Sequence, residues 1–354
     1  SEPCICRILS ANTRNSVQEL FDSQILLLGK ITRPKVFYRG FSPVHYDIQD
    51  ILLDDSVKKA NIIVPRGLGK TTLCSQVYPL FHIFVENPDQ PKFIVIISKT
   101  QQHAINCLTS IKDTLDYSPE FRSIFGYWGE NSGPNVVWRN DFIKLKNNAV
   151  IIAKGSGQPI RGLNMDGVRP TRIIIDDPED ENNTKTSEAM ESNFNWLLKS
   201  VMPALDSRYG KVIVIGTPIH QLCIVEKLSA ASDWKTVRYS YLYEQDGITY
   251  SIWPEERSVQ SLLDEKRGME EMGKLSAFYS ERMCIITGDE DQLFKSQDMQ
   301  FYKGEFFIEN NAGFIRMESI NGVPVNKIVP VNVFMGVDPA SSTKQTADYS
   351  VIFP

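Results

Sequence analysis

The run from Lys58 to Leu73, KKANIIVPRGLGKTTL, constrains this chain more than any other stretch. Asn61-Ile62-Ile63-Val64 is short, apolar and β-branched, which reads as a buried strand. Pro65-Arg66-Gly67-Leu68-Gly69 breaks that strand, and Lys70-Thr71-Thr72-Leu73 opens a helix. Strand, glycine-containing loop, lysine, hydroxyl and helix is the arrangement of a phosphate-binding loop. Backbone N–H groups of such a loop and the positive end of its helix surround a phosphate. Lys70 adds a full charge at the β- and γ-phosphates, and the Thr71 hydroxyl is placed to ligate Mg²⁺. The pattern GxxxxGK[ST] asks for a first glycine where Val64 stands, while Gly69, Lys70 and Thr71 fit it. Arg66, inside the loop, can reach the γ-phosphate and act as a finger in cis. Pro65, Arg66, Gly67, Leu68, Gly69, Lys70, Thr71 and Thr72 are therefore the expected nucleotide-binding set.

A second strand completes the chemistry. Arg172-Ile173-Ile174-Ile175-Asp176-Asp177-Pro178 carries three consecutive isoleucines, which need burial on both faces, and ends on two carboxylates. Acids at the carboxyl end of such a strand fit a metal site at the sheet edge where open α/β folds bind ligands. This is the Walker B pattern. Asp176 would hold Mg²⁺ through water, and a neighbouring acid would polarise the attacking water. That acid is Asp177, with Glu179 second in line. Lys211 to Pro218 (KVIVIGTP) is another buried strand ending in a polar turn, where Gly216 and Thr217 can sense a γ-phosphate. Pro91 to Ser98 is a strand, Lys99 to Leu115 and Ser187 to Leu198 are helices, and Phe142 to Ala153 is a hairpin turned at Asn147-Asn148. Strands alternating with helices predict an α/β fold with a mainly parallel sheet, helices on both faces.

Other stretches give coarser readings. Ser10 to Leu28 has helical spacing. Phe37 to Pro43 is an aromatic-rich loop leading into a helix that starts at His45, and Gln49 on it can satisfy an adenine through its amide. Gly155 to Arg169 is glycine-rich and carries Arg161 and Arg169, either of which can reach DNA or a neighbour's nucleotide. Leu262 to Tyr279 reads as helices broken at Gly268 and Gly273, and Gln300 to Asn311 as a connector. Gly313 to Val329 reads as a hairpin turned at Asn321-Gly322. A strand from Asn332 ends on Asp338, and another begins near Asp348.

Composition excludes several classes. Among 354 residues, 42% are hydrophobic and 23% charged, as in a soluble globular protein of two or three domains. No apolar run approaches the ~18 residues that span a membrane, and the N-terminus lacks a signal-peptide core. The chain begins without Met, so it is read as processed or trimmed. Six cysteines without a CxxC pair and four histidines argue against a zinc site or a disulfide framework, and for a reducing compartment. A net charge of −5 does not favour a broad nucleic-acid coat but allows a local basic channel.

The ordered set VPRGLGKTT, SKTQQHA, GQPIRGL with RPTRIIIDDPED, VIVIGTP, and MGVDPASS with ADYSVI resembles the large terminase subunit of tailed bacteriophages. That family is the ATPase-nuclease that packages viral DNA, and the resemblance runs from Phe41 to the end. It implies a P-loop (ASCE/RecA-like) ATPase using ATP and Mg²⁺, followed by an RNase H-like endonuclease using Mg²⁺ or Mn²⁺. It implies that Arg66 is the cis-acting finger, Gln49 the adenine contact, and Gly216-Thr217-Pro218 the coupling motif. Asp338 resembles the first nuclease metal ligand, and Asp348 is the second acid available. The implied partners are double-stranded DNA, the portal protein of the procapsid, the small terminase subunit and copies of the same chain in a ring, with no membrane. The implied location is the host cytoplasm, transiently on the procapsid. The chain departs from the family in placing Asp177 where many relatives have Glu, and in stopping after two nuclease strands. The nuclease is therefore expected to be incomplete and not to cut. The expected domains are a helical extension over 1–40, the ATPase core over 41–233, a helical lid or linker over 234–311, and the start of the nuclease over 312–354. A superfamily 2-like helicase or translocase would need a second RecA-like domain, and a small-molecule kinase an acceptor pocket with an arginine lid. The sequence displays neither.

Overall fold

The structure, a computed structural model, describes residues 24–180, 183–287, 302–310, 312–320, 323–331, 336–338 and 351–353. It divides into two compact units, Ser1–Thr287 and Gly288–Pro354. The first is built on an eight-stranded sheet of order β3-β4-β5-β2-β6-β7-β1-β8. In chain order these strands are β1 Lys59–Ile63, β2 Phe93–Ser98, β3 Val137–Trp138, β4 Phe142–Lys144, β5 Val150–Gly155, β6 Arg172–Asp176, β7 Lys211–Gly216 and β8 Lys235–Arg238. From β5 to β8 every pairing is parallel. β3 and β4 close one edge antiparallel, and β4 with β5 forms the expected hairpin, turned through Asn148 at φ 62°.

Successive strand residues point to opposite faces, and here both faces are apolar. Ile62, Ile94, Ile96, Ile174, Ile213 and Ile215 enter one core, packed under the helices Ile25–Thr32, Pro43–Leu53 and Gln101–Tyr117. Ile63, Val95, Ile97, Ile173, Ile175 and Val214 enter the other, with Leu197, Val201, Ile224 and Leu228. The isoleucine run of β6 is thus shared between two cores, which is why no polar residue interrupts it.

Charges are confined to the strand ends. At the amino edge the guanidinium of Arg172 donates to the Tyr78 hydroxyl, the carbonyls of Thr171 and Tyr209, and Glu86, at 2.8 to 2.9 Å. His82 also meets Glu86, at 2.6 Å. Lys211 donates to the carbonyls of Ile51, Leu52 and Asp54, at 3.0, 2.6 and 2.9 Å. These lie at the C-terminal end of the helix Pro43–Leu53, where carbonyls lack helical partners.

Several expectations need correction. Of the helix read over Ser10 to Leu28, only the end falls in the described helix Ile25–Thr32, and residues 1–23 lie outside the described set. The segment 234–311 is mixed. It contributes the edge strand β8, the hairpin Leu242–Gln245 with Ile248–Ser251, and the helices Val259–Glu271 and Leu275–Phe278. Gly268 does not break its helix, whereas Gly273, at φ 65°, ends the segment. The connector at 300–311 contains the strand Tyr302–Glu309, paired antiparallel with Ala312–Ile320 and carrying a cross-strand Phe307–Phe314 stack. Ala312–Ile320 also pairs antiparallel with Val323–Val331, the two strands of the next expected hairpin, while Asn321 and Gly322, where its turn was read, lie outside the described residues.

Replacing Arg172 with Met removes the partner of a buried carboxylate, and we expect a loss of about 3–5 kcal/mol at neutral pH. Burial opposes the Glu86 charge, but His82 and Arg172 outweigh it and bring the carboxyl from 4.5 down to about 2. Its contribution is therefore full above pH ~4.5 and lost as pH falls toward 2. Denaturant titrations of Arg172→Met and wild type should show a gap that holds from pH 7 to about pH 4.5 and narrows as pH falls from there toward 2. A gap that stays constant through that lower range would exclude this pairing as the cause.

Candidate active site

The opposite, carboxyl edge gathers the loops after β1, β2, β6 and β7. Val64 remains in the ladder, its N–H donating to the Gly216 carbonyl at 3.2 Å. The strand simply continues there, so the missing first glycine is not required. The chain then turns through Gly67 at φ 97° and Gly69 at φ 68°, a left-handed backbone that favours glycine. Between them Leu68 is buried, and its carbonyl accepts from His45 Nε2 at 2.8 Å. Lys70 and Thr71 begin the helix, which widens into π-type turns over Thr72–Val77 before the α-helix Tyr78–Phe84. Such widening recurs at functional sites.

Thr71, just before the widened stretch, and Ser75, within it, both reach Asp176. Thr71 Oγ1 donates to Asp176 Oδ1 at 3.1 Å and Ser75 Oγ to Oδ2 at 2.7 Å. Ser98 at the end of β2 donates to the Asp176 carbonyl at 2.8 Å. Asp176 is 3% exposed. Burial and the adjacent Asp177 push its carboxyl up to about 6, against the two hydroxyls and Lys70. Asp177 takes a left-handed turn, φ 45°, held by its N–H to the Ile215 carbonyl at 2.8 Å. This aims its side chain back at the phosphate loop. Lys70 Nζ lies 3.2 Å from Asp177 Oδ2 and 2.9 Å from the Thr217 hydroxyl. The Thr217 N–H donates to Asp177 Oδ1 at 3.2 Å, and its hydroxyl to the Val64 carbonyl at 3.0 Å. Lys70, Asp177 and Thr217 thus close a ring of contacts across three loops.

Glu179 faces elsewhere. Its carboxylate accepts from the Ile224 N–H at 2.6 Å and from Asn193 at 3.4 Å, capping the helix Ile224–Ser229. Burial raises its pKa. Arg66 is 54% exposed, with Nε 3.0 Å from Glu281 and its N–H on the Glu281 carbonyl. Arg282 donates to the Arg66 carbonyl at 3.1 Å, so the segment around 281 braces the loop from outside. Arg66, Thr71, Asp176, Asp177 and Glu179 border one cavity of about 340 Å³. The side chains hydrogen-bonded to the Asp176 carboxylate are hydroxyls, which suits Mg²⁺ held by one carboxylate, a hydroxyl and phosphate oxygens. Among the described residues no three His, Cys, Asp or Glu side chains gather as a metal group, at this edge or elsewhere.

A smaller cavity, about 170 Å³, lies against the same loop, walled by Phe37, Tyr38, Phe41, His45, Trp253 and Gly69, with Thr72 also at its border. The structure places Gln49 away from it. Gln49 is 7% exposed, and its Oε1 accepts the Leu26 N–H at 3.0 Å, tying down the helix Ile25–Thr32. Sequence reading found the aromatic loop but missed His45, Ser75 and Trp253. Trp253 carries no local signal, and only the fold brings it to the loop. Ser75, four residues after Thr71, does share its helix face. Arg169 is exposed and donates to the Pro203 carbonyl at 3.3 Å, and Arg161 is exposed. Asp338 ends the strand Gly336–Asp338, paired antiparallel with Val351–Phe353, and Asp348 lies outside the described residues.

No protein-family model matches the chain, and no curated protein matches it. Solved structures do. One is the S. cerevisiae protein Dbp5 bound to RNA and ADP BeF3, at 13% identity and TM-score 0.38, over 59% of this chain and 49% of that one. Another is the large terminase of bacteriophage HK97, at 16% identity and TM-score 0.43, over 70% of this chain and 51% of that one. The chain is also similar to the ATPase domain of a Thermus phage large terminase, at 14% identity and TM-score 0.45, over 71% of this chain and 95% of that one.

Proposed function

We propose that this chain is a Mg²⁺-dependent ATP hydrolase and the motor of tailed-phage DNA packaging. The observation that carries the hydrolase reading is the convergence of Lys70, Thr71, Asp176, Asp177 and Thr217 at one sheet edge. In this reading the triphosphate lies in the loop 65–71 and the base in the aromatic cavity. Lys70 exchanges Asp177 for phosphate oxygens and stabilises charge developing on the transferred phosphoryl. Thr71 and Asp176 would hold Mg²⁺, which would supply charge neutralisation to the triphosphate. Ser75 and Ser98 keep Asp176 in place. Asp177, released from Lys70 and steered by the Thr217 N–H, orients the attacking water. Glu179, occupied as a helix cap, supports the turn instead. Arg66, the exposed guanidinium at the cavity, is the cis finger.

The finer reading rests on the motif set that resembles large terminases. It includes translocation of double-stranded DNA, a ring of copies on the portal protein, a small terminase subunit, and work in the host cytoplasm, transiently on the procapsid. It also includes the first strands of an RNase H-like, Mg²⁺- or Mn²⁺-dependent endonuclease in the second unit. Asp338 and Asp348 are its proposed ligands, and the antiparallel pairing of Gly336–Asp338 with Val351–Phe353 supports that assignment.

Steady-state ATPase assays should show losses of ~10²-fold or more for Lys70→Ala and Asp176→Asn, each of which removes a transition-state contact. Near-normal turnover in both would sink the hydrolase reading. The base is tested by a pair of variants. Asp177→Asn should abolish turnover with nucleotide binding retained, while Glu179→Gln should keep turnover and lose about 1 kcal/mol of stability as a weakened cap. The reverse pattern would assign the base to Glu179. A ring predicts specific activity that rises with protein concentration, so a flat profile that capsid components leave unchanged would argue against it.

A further inference from the structure

His45 makes two bonds that allow one protonation state. Its Nδ1 accepts the Ser42 N–H at 2.9 Å, so this nitrogen carries no proton. The proton is then on Nε2, which donates to the Leu68 carbonyl at 2.8 Å. The first bond closes a capping box on the helix Pro43–Leu53. The second reaches 23 residues along the chain, into the phosphate loop. The ring is 4% exposed, and burial lowers its pKa, consistent with a neutral imidazole.

The same ring is a wall of the aromatic cavity. Trp253 meets it edge-on at 4.7 Å between centroids and Phe41 at 5.7 Å. Trp253 is itself anchored, its indole N–H donating to the Gly40 carbonyl at 2.9 Å. On the other side, a Cβ built on Gly69 would stand 3.9 Å from His45 Nε2, so the ring lies beside Gly69 as well as bonded to Leu68. Leu68 sits between two glycines at positive φ, Gly67 and Gly69, which form pivots on either side of it. The carbonyl that His45 holds therefore ties a wall of the aromatic cavity to the loop between its two glycines of positive φ.

From this geometry we infer that His45 is a positioning residue that transmits occupation of the base cavity to the phosphate loop. A flat ring stacked in the cavity restricts the His45 imidazole, the imidazole fixes the Leu68 carbonyl, and the loop N–H groups are held ready for phosphate. The ordering is then done before the phosphates arrive, so base and phosphate bind with positive cooperativity. The inference rests on the reading of the two cavities as one nucleotide site.

Adenosine, which lacks phosphates, separates the two ideas. Hydrogen–deuterium exchange of the segment 65–73 should slow several-fold when saturating adenosine is added to the full chain. In His45→Gln the effect should vanish while adenosine still binds. Gln at this position can keep the capping box but cannot also reach Leu68, so a structural role alone predicts a lowered melting temperature with the adenosine-induced protection of the loop equal to that of wild type. The ATP dissociation constant of the variant should rise about fivefold, the scale of one hydrogen bond, with that of tripolyphosphate rising less. Equal adenosine protection in variant and wild type, with nucleotide binding intact, overturns the coupling and leaves the hydrolase reading standing. A wild-type chain that binds neither adenosine nor ATP overturns both.

Discussion

A sheet buried on both faces can keep its charges only at the ends of its strands, and this constraint organises the molecule. β6 begins on Arg172 and ends on Asp176, with three isoleucines between them. β7 begins on Lys211 and ends at Gly216, one residue before Thr217. The two strand starts serve stability. Arg172 neutralises Glu86, and Lys211 satisfies the carbonyls at the end of the helix Pro43–Leu53. The strand ends hold the groups with chemical potential. In a parallel sheet all these ends lie on the same edge, so residues distant in sequence meet without any local instruction to do so.

At that edge burial and the adjacent Asp177 raise the pKa of Asp176. The hydroxyl of Ser75 in the widened turn Thr72–Val77, that of Thr71 just before it, and the nearby ammonium of Lys70 act against burial. The turn is thus part of the electrostatics as well as of the helix. Residues four apart are neighbours on a helix surface, and Thr71 and Ser75 take opposite oxygens of one carboxylate. Asp177 faces the opposite demand. It must approach both Lys70 and Thr217, and its left-handed backbone turn supplies the direction that a further strand residue would not.

The segment after the core sheet contributes more than a lid. Trp253 walls the aromatic cavity, Glu281 pairs with Arg66, and Arg282 holds the Arg66 carbonyl while its guanidinium lies 2.8 Å from Glu265. The phosphate loop is therefore braced from two directions, by His45 from the upstream helix and by the turn near Glu281 from downstream. Arg39 and Glu256 form a further ion pair joining the upstream loop to the downstream one.

Much was legible in the residues themselves. The strands, the loop 65–69, Lys70 with Thr71 and the acids after Ile175 were readable because each depends on local rules: apolar runs, glycine at positive φ, a hydroxyl beside a lysine. The mainly parallel sheet followed from alternation of strands and helices. The strand Tyr302–Glu309 was missed because its pattern makes sense only beside the pairing partner that stacks Phe314 on Phe307. Gln49 illustrates the same limit within the site. Its residue type suited a nucleobase, but its carbonyl is bonded to Leu26. Sequence alone determined which groups have the chemistry for phosphate and metal, since those groups are intrinsic to residue type and local spacing. Only the tertiary structure decided which acid faces Lys70, which caps a helix, and which rings wall the second cavity. Those outcomes depend on through-space distances across loops that no local pattern encodes.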